Sequence, residues 1–327
     1  MAYEVRLLTR DDLPAAWEMI RIAFGAERER PSWWREDRPG RLDWAVFDEA
    51  GRMVAKATDR AQGHWFGGRL VPACGIAGVI VAPELRGTGL ARVVLTHLLH
   101  AARERGAVIA TLFRTSPEVY RAFGCEEVGA MTRVAVPTAV LAELPRPRDV
   151  LLRPAEADDV PAVLEAYRAL ARAGSGLMER SGPLFDTSPD AVLAGHDGLT
   201  LAVEDGAVAG YASWDRHPGY DESARLKVSD LIAHTAEATT ALLAMLGSWS
   251  RVAPTISLRL PDPDPAPLLA SFVGTRVESR EPWMLRVLDA AGAVAARGWP
   301  APGGGADDDA FLAAATAGPV PALLDYF

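Results

Sequence analysis

The sequence predicts a mixed α/β (α+β) fold built as two similar units, each with helices packed on a largely antiparallel sheet. Three repeated features carry that reading. Residues 11–15 read DDLPA and residues 158–162 read DDVPA, each after a short β-like stretch and before an amphipathic pattern. Residues 44–58 (WAVFDEAGRMVAKAT) and 201–214 (LAVEDGAVAGYASW) share one hairpin design, strand, acidic turn with glycine, strand. Residues 74–98 and 227–246 both read strand, loop, helix, and each is followed by a further strand, at 107–113 and 255–260.

The elements follow from local chemistry. In the first copy Leu13, Trp17, Ile20 and Phe24 recur at helical spacing on one face. Val160, Leu164 and Tyr167 do the same in the second. An aspartate before each helix and a proline in its first turn form a start signal. Residues 261–267 (PDPDPAP) read as a proline-rich turn inside the second unit. Residues 301–309 (APGGGADDD) read as a flexible linker, with one short helix expected at 309–315.

Length and composition bound the function. The 327 residues suggest two or three domains, and 49% hydrophobic with 24% charged residues is a globular composition. No apolar run reaches the length of a membrane span, and residues 1–13 hold no signal-peptide core. Two distant cysteines, Cys74 and Cys125, make no disulfide framework. A cytoplasmic protein is expected, with neither membrane nor nucleic acid as partner. The net charge of −9 shows no basic stripe and suits a cationic substrate.

Residues 81–94, VAPELRGTGLARVV, set two glycines between a hydrophobic run and a helical pattern. The first turn of a helix presents unpaired N–H groups and a positive dipole end, where phosphates bind. Glycine at 87 and 89 removes Cβ atoms that would hold a pyrophosphate away, and Arg86 and Arg92 add charge. Other phosphate loops fit less well. The Walker A Gly-Lys-Ser/Thr is absent, and the dinucleotide fingerprint needs glycine or alanine where Arg92 stands.

On these residues the chain resembles a known family. GVIVAPELRGTGLARVVL (78–95) resembles motif A of the GNAT superfamily of N-acetyltransferases, and TLFRTSPEVYRAFGCEEVG (111–129) resembles the motif after it. With the duplication and PWMLRVLD (282–289), it is similar to the Eis branch, a tandem pair of GNAT folds. The resemblance implies a catalytic GNAT domain at 1–148, a degenerate GNAT-like domain at 149–288 whose matching loop (HTAEATTA) lacks glycine, and a remnant of a sterol-carrier-like domain with a C-terminal tail at 289–327.

It also implies roles. Val79, Ile80 and Val81 would pair with the pantetheine arm of acetyl-CoA. Gly87, Thr88, Gly89, Leu90, Ala91 and Arg92 would hold its pyrophosphate, and Thr115 and Ser116 would add a further contact. Tyr120 matches the general acid that protonates the leaving thiolate. The terminal carboxylate of Phe327, with Asp325 beside it, matches the group that meets the acceptor amine, although a free α-carboxyl is a poor base. Phe24, Glu27, Trp33 and Trp34 are the acceptor-pocket candidates, since aromatic faces and a carboxylate suit a polycation.

The expected activity is transfer of acetyl from acetyl-CoA to an aminoglycoside, polyamine or lysine-like amine by direct attack, in a homo-oligomer that the resemblance makes a hexamer. The alternatives are a non-catalytic acyl-CoA sensor or scaffold and a protein lysine acetyltransferase. No metal is expected, because His97 and His100 lack further ligands at suitable spacing. His64 reads as a turn residue, and Cys125 lacks an evident histidine partner.

Overall fold

The computed structural model describes residues 3–31, 34, 38–260 and 264–299. The linker and helix expected at 301–315 lie outside them, as do Trp33, Asp325 and Phe327. The first half runs β1 (Glu4–Leu7), α1 (Leu13–Phe24), β2 (Arg41–Phe47), β3 (Met53–Phe66), β4 (Arg69–Val81), α2 (Leu90–Glu104), β5 (Ile109–Phe113), α3 (Pro117–Arg121), β6 (Glu126–Pro137) and α4 (Thr138–Ala142). The second runs β7 (Leu151–Pro154), α5 (Val160–Ala173), β8 (Ser175–Met178), α6 (Pro189–Ala194), β9 (Gly198–Glu204), β10 (Ala207–Arg216), β11 (Arg225–Ala233), α7 (Ala236–Gly247), β12 (Thr255–Arg259), α8 (Ala266–Ser271), β13 (Arg276–Val287) and α9 (Ala290–Ala296).

The two repeated starts use one device. The Asp12 carboxylate accepts from the Thr9 N–H at 2.8 Å and from Arg6 at 2.6 and 2.9 Å. Asp159 accepts from the Glu156 N–H at 2.8 Å and from Arg153 at 2.5 and 2.7 Å. Each aspartate thus reaches back across a 3₁₀ turn and ties the helix entry to the preceding strand. The β9–β10 turn is Asp205-Gly206 with φ of 50° and 80°, the left-handed pair that a two-residue hairpin needs.

All strands join one sheet in the order β1-β2-β3-β4-β5-β13-β6-β12-β11-β10-β9-β7, with β8 paired to β3. Pairing is antiparallel except for β4–β5 and β11–β12. The halves exchange strands. β13, late in the chain, lies between β5 and β6, while β6 pairs with β12. Neither sheet half is complete without a strand from the other half of the chain.

On one face α2 packs Leu90, Val94, Leu95 and Leu98 against Val54, Ile76 and Leu112. On the other, α1 packs Ala16 and Trp17 against Ala45 and Phe47. A buried polar cluster lies within the second half. The Asp230 carboxylate accepts from Arg180 at 2.5 and 3.0 Å, from Arg259 at 3.1 Å and from the Tyr211 hydroxyl at 3.1 Å. Burial works against its charge, and the two guanidiniums more than reverse that, holding the carboxyl well below the usual range.

His64 is no turn residue. It is buried in β3 where that strand pairs with both β4 and β8, and its Nδ1 lies 2.7 Å from the Gly176 carbonyl. Its Nε2 lies 2.9 Å from Gln62 Nε2 and 3.2 Å from Thr111 Oγ1. A neutral ring with its proton on Nδ1 satisfies all three contacts. Burial pushes its pKa down to about 4. Between the ordinary histidine value near 6.5 and that value, only the unfolded chain binds the proton, so stability falls as pH falls through the window. The shift corresponds to roughly 3 kcal/mol. Denaturant unfolding should lose stability from pH 6.5 to about 4 in the wild type. In His64→Gln that slope should flatten, with lower stability at pH 7.

Candidate active site at the opened edge of β4

The site begins with a break in pairing. β4 pairs with β5 only where Ala73, Cys74 and Gly75 face Ile109, Ala110 and Thr111. Beyond that, among the described residues, β4 has a strand on one side only. On its β3 side the register jumps from Thr58↔Ala77 to Lys56↔Ile80, so Gly78 and Val79 together oppose Ala57. Gly78 takes a φ of 53°, which glycine adopts without strain. The Ala82 N–H donates to the Val54 carbonyl at 2.9 Å, so positions 82 and 80 bond toward β3. Strand alternation then turns the main-chain groups of Val81, and of Val79, to the open side.

The loop after β4 turns through Gly87 (φ 80°) and Gly89 (φ 89°), and Gly89 caps α2. The Thr88 hydroxyl donates back to the Leu85 carbonyl at 2.7 Å and is used within the turn. No side chain caps α2 and its first turn has no acidic residue. Its leading N–H groups are left for solvent or an anion. A Cβ on Gly87 or Gly89 would meet nothing within 4 Å, so backbone conformation, not crowding, requires glycine there. Arg86 and Arg92 are exposed, Ala91 is half-buried, and the Leu90 side chain lies in the core, leaving that residue only its main chain to offer.

The second half has the same break and a different helix start. β11 is bulged at Ser229 and pairs with β12 only over 225–228. Thr235 caps α7, its Oγ1 accepting from the Ala238 N–H at 3.0 Å and donating to Glu204 at 2.7 Å. Glu237 lies in the first turn. This helix end satisfies itself and repels anions.

Tyr120, on α3, is 7% exposed and shares its core with Leu90, Leu112 and Cys125. Burial raises its pKa above the ordinary phenol value, opposed by a hydrogen bond with the Thr115 side chain. The phenol therefore holds its proton at neutral pH. Thr115 and Ser116 are exposed just ahead of it. Cys125 is buried and its thiol is pushed up to about 11, so it is no nucleophile.

The acceptor-side expectations fare unevenly. Phe24 ends α1 at 48% exposure, and Glu27 is an exposed residue whose carbonyl accepts from Trp17 Nε1 at 3.2 Å. Trp34 is 6% exposed and packs on Trp17, with ring centroids 5.5 Å apart. Arg38 stacks over its ring at 3.7 Å, and Lys56 Nζ lies 5.7 Å from it. The aromatic face that the sequence offers to a polycation is thus taken by the chain's own cations, because the loop folds Trp34 inward. Sequence reading missed the cluster beneath it. Asp43 pairs with Arg38, accepts from Thr58 Oγ1 at 2.5 Å and lies 3.5 Å from Lys56 Nζ. The signal was an isolated glycine, Gly78, inside a strand pattern, which marks a bulge.

Among the described residues no group of three or more His, Cys, Asp or Glu is placed to hold a metal, and no helix is long and apolar enough to cross a membrane.

The bulged strand that loses its neighbour ahead of a helix occurs twice, the glycine-turned helix start only in the first half, and an acetyltransferase (GNAT) domain matches residues 4–128 and again residues 176–287. A GCN5-related N-acetyltransferase structure from Kribbella flavida is 31% identical over 92% of this chain and 75% of that one, with a TM-score of 0.74. The chain belongs to the GCN5-related N-acetyltransferase (GNAT) family and is an N-acetyltransferase. Domains of this family draw on acetyl-CoA. The same fold is shared by a GCN5-related N-acetyltransferase from Anabaena variabilis (19% identity, 92% of this chain and 76% of that one, TM-score 0.78). It is shared also by Eis1 from Mycobacterium abscessus (21% identity, 91% and 77%, TM-score 0.68). No curated protein matches the chain in sequence.

Both thiols, Cys74 and Cys125, should resist alkylation in the folded protein at pH 8 and react once it is denatured, since burial raises the pKa of each. Mass spectrometry after iodoacetamide treatment reads the difference.

Proposed function

We propose that the opened edge of β4 and the N-terminus of α2 bind acetyl-CoA, and that the acetyl group passes directly to a small-molecule amine. The observation that carries this is the pairing of two unsatisfied main-chain surfaces. Val79 and Val81 face a side with no strand, and the uncapped start of α2 follows within ten residues. An extended amide chain suits the first, and a pyrophosphate suits the second. Ile80, whose main-chain groups turn to β3, contributes position and not contact.

Acetyl-CoA supplies the acetyl group as a thioester. The main-chain N–H groups of Val79 and Val81 polarise its carbonyl, and Gly87, Gly89, Leu90 and Ala91 present N–H groups to the pyrophosphate, with Arg92 adding charge, while the Thr88 N–H closes the turn on the Leu85 carbonyl at 3.3 Å. Thr115, hydrogen-bonded to Tyr120 through its side chain, and the exposed Ser116 add the further cofactor contact in this reading. The Tyr120 phenol donates its proton to the departing sulfur. The acceptor must reach the opening as a free amine, with water taking its proton. Phe327 and Asp325 lie outside the described residues, and no step here is routed through them.

The first half is the catalytic domain, and the second, whose α7 is capped and acidic, serves as a structural partner. The likeness in fold to Eis1 supports an Eis-like enzyme, and a homo-oligomer is expected on the same ground. Aminoglycosides, polyamines and lysine-like amines are the acceptors to try.

Thiol release from acetyl-CoA with that panel tests the proposal. Tyr120→Phe should lower kcat by about a hundredfold with little change in KM. Gly89→Asp should weaken acetyl-CoA binding by about tenfold or more, by setting a negative charge at the helix start. Tight binding of acetyl-CoA with no thiol released by any amine would replace this reading with that of an acyl-CoA sensor.

A further inference from the structure

We propose that Lys56 is itself an acetyl acceptor, modified by the acetyl-CoA that its own protein binds. The inference rests on the donor site proposed above.

The chain holds 34 lysines and arginines, of which only Lys56 and Lys227 are lysines. Lys227 is exposed on β11, whereas Lys56 is 1% exposed in β3. Arginine is the better residue for a buried ion pair, and Arg38 already pairs with the same aspartate. What lysine has and arginine lacks is an amine that can lose its proton and form an amide.

The place of that amine is specific. Nζ lies 3.5 Å from Asp43 Oδ1 and 3.4 Å from Thr58 Oγ1, both long for strong contacts. A Cβ built on Gly78 would stand 3.4 Å from Nζ and 3.6 Å from Thr58 Oγ1, with no other described atom beyond its chain neighbours within 4 Å. The missing side chain at the bulge leaves the amine facing the main chain one residue before Val79. Burial also lowers the Lys56 pKa, with Asp43 opposing, which favours the free amine.

The sheet faces complete the argument. Asp43 lies on the face of β2 that carries Ala45 and Phe47 to α1, and Lys56 and Thr58 reach it there. Tyr120 lies on the opposite face, in the α2 core. The opening between β4 and β5 joins the two, so an amine stands on one side of the thioester position and a proton donor on the other.

In the step, Lys56 Nζ gives up its ammonium proton toward Asp43 and solvent. Nζ then forms a bond to the acetyl carbon, the carbon–sulfur bond breaks, and the sulfur leaves as the thiol with a proton from Tyr120. The remaining amine proton in excess returns to the phenol. The products are acetyl-lysine and free coenzyme A, with no oxidant or reductant required.

Peptide mass spectrometry of the full chain incubated with acetyl-CoA alone tests this. The peptide bearing Lys56 should gain one acetyl group, and its labelling should exceed that of Lys227 by about tenfold or more, as expected of a group held in place over one met in solution. Lys56→Arg should take no label at that position. Label on Lys227 equal to or above that on Lys56 would mean solution chemistry and overturn the inference. An unlabelled Lys56 in a protein that turns over amines would overturn it and leave the proposed function standing. Failure to bind acetyl-CoA at all would overturn both.

Discussion

The site depends on an unsatisfied strand edge. β4 loses β5 after Gly75 and cannot regain it, because the bulge at Gly78 and Val79 bends the strand away. Main-chain groups without partners are costly to bury, so a fold that keeps them needs either solvent or a ligand there. The rest of the molecule accommodates that requirement. α2 leaves the end of the same strand with its own N–H groups unsatisfied, and α3 buries Tyr120 in the core that α2 forms with that strand. The two deficits follow one another along the chain, which is the basis of the proposed elongated site.

Holding a sheet open at its centre calls for support elsewhere, and the exchanged strands supply it. β13 closes the β5 side with pairs from Trp283↔Phe113 to Val287↔Ile109, while β6 runs on into the second half. The buried polar groups add directional constraint. His64 ties β3 to the Gly176 carbonyl, and Arg180 reaches from beyond β8 to Asp230. Such groups stabilise only when all are satisfied, so the first fixes one half against the other and the second fixes the strands within the second half.

The duplicated half shows which part of the architecture is general and which is functional. Its strand is bulged and its partner strand lost in the same way, yet Thr235 and Glu237 close the helix start. The opening is therefore a property of the fold, and the proposed anion site is a property of two glycines. On the acceptor side of the first half, Arg38, Asp43, Thr58 and Lys56 form a buried charged cluster under Trp34. That cluster, and not an exposed aromatic pair, borders the bulge.

Local chemistry determined the elements. The repeated aspartates, the Asp-Gly hairpin and the glycines at 87 and 89 each act within a few residues, so spacing alone reveals them. The fold class, the duplication and the helix-start loop were legible for that reason. Tertiary structure decided what depends on distant pairing. The place of β13 between β5 and β6 has no local signature, since a strand's neighbours are set by contacts across the whole chain. His64 read as a turn because its glycine neighbours suggest one, and only its contacts with distant Thr111 and Gly176 bury it. Trp34 read as an acceptor-pocket face and Lys56 passed unnoticed, because burial of an aromatic or a cation is fixed by the partners that close over it.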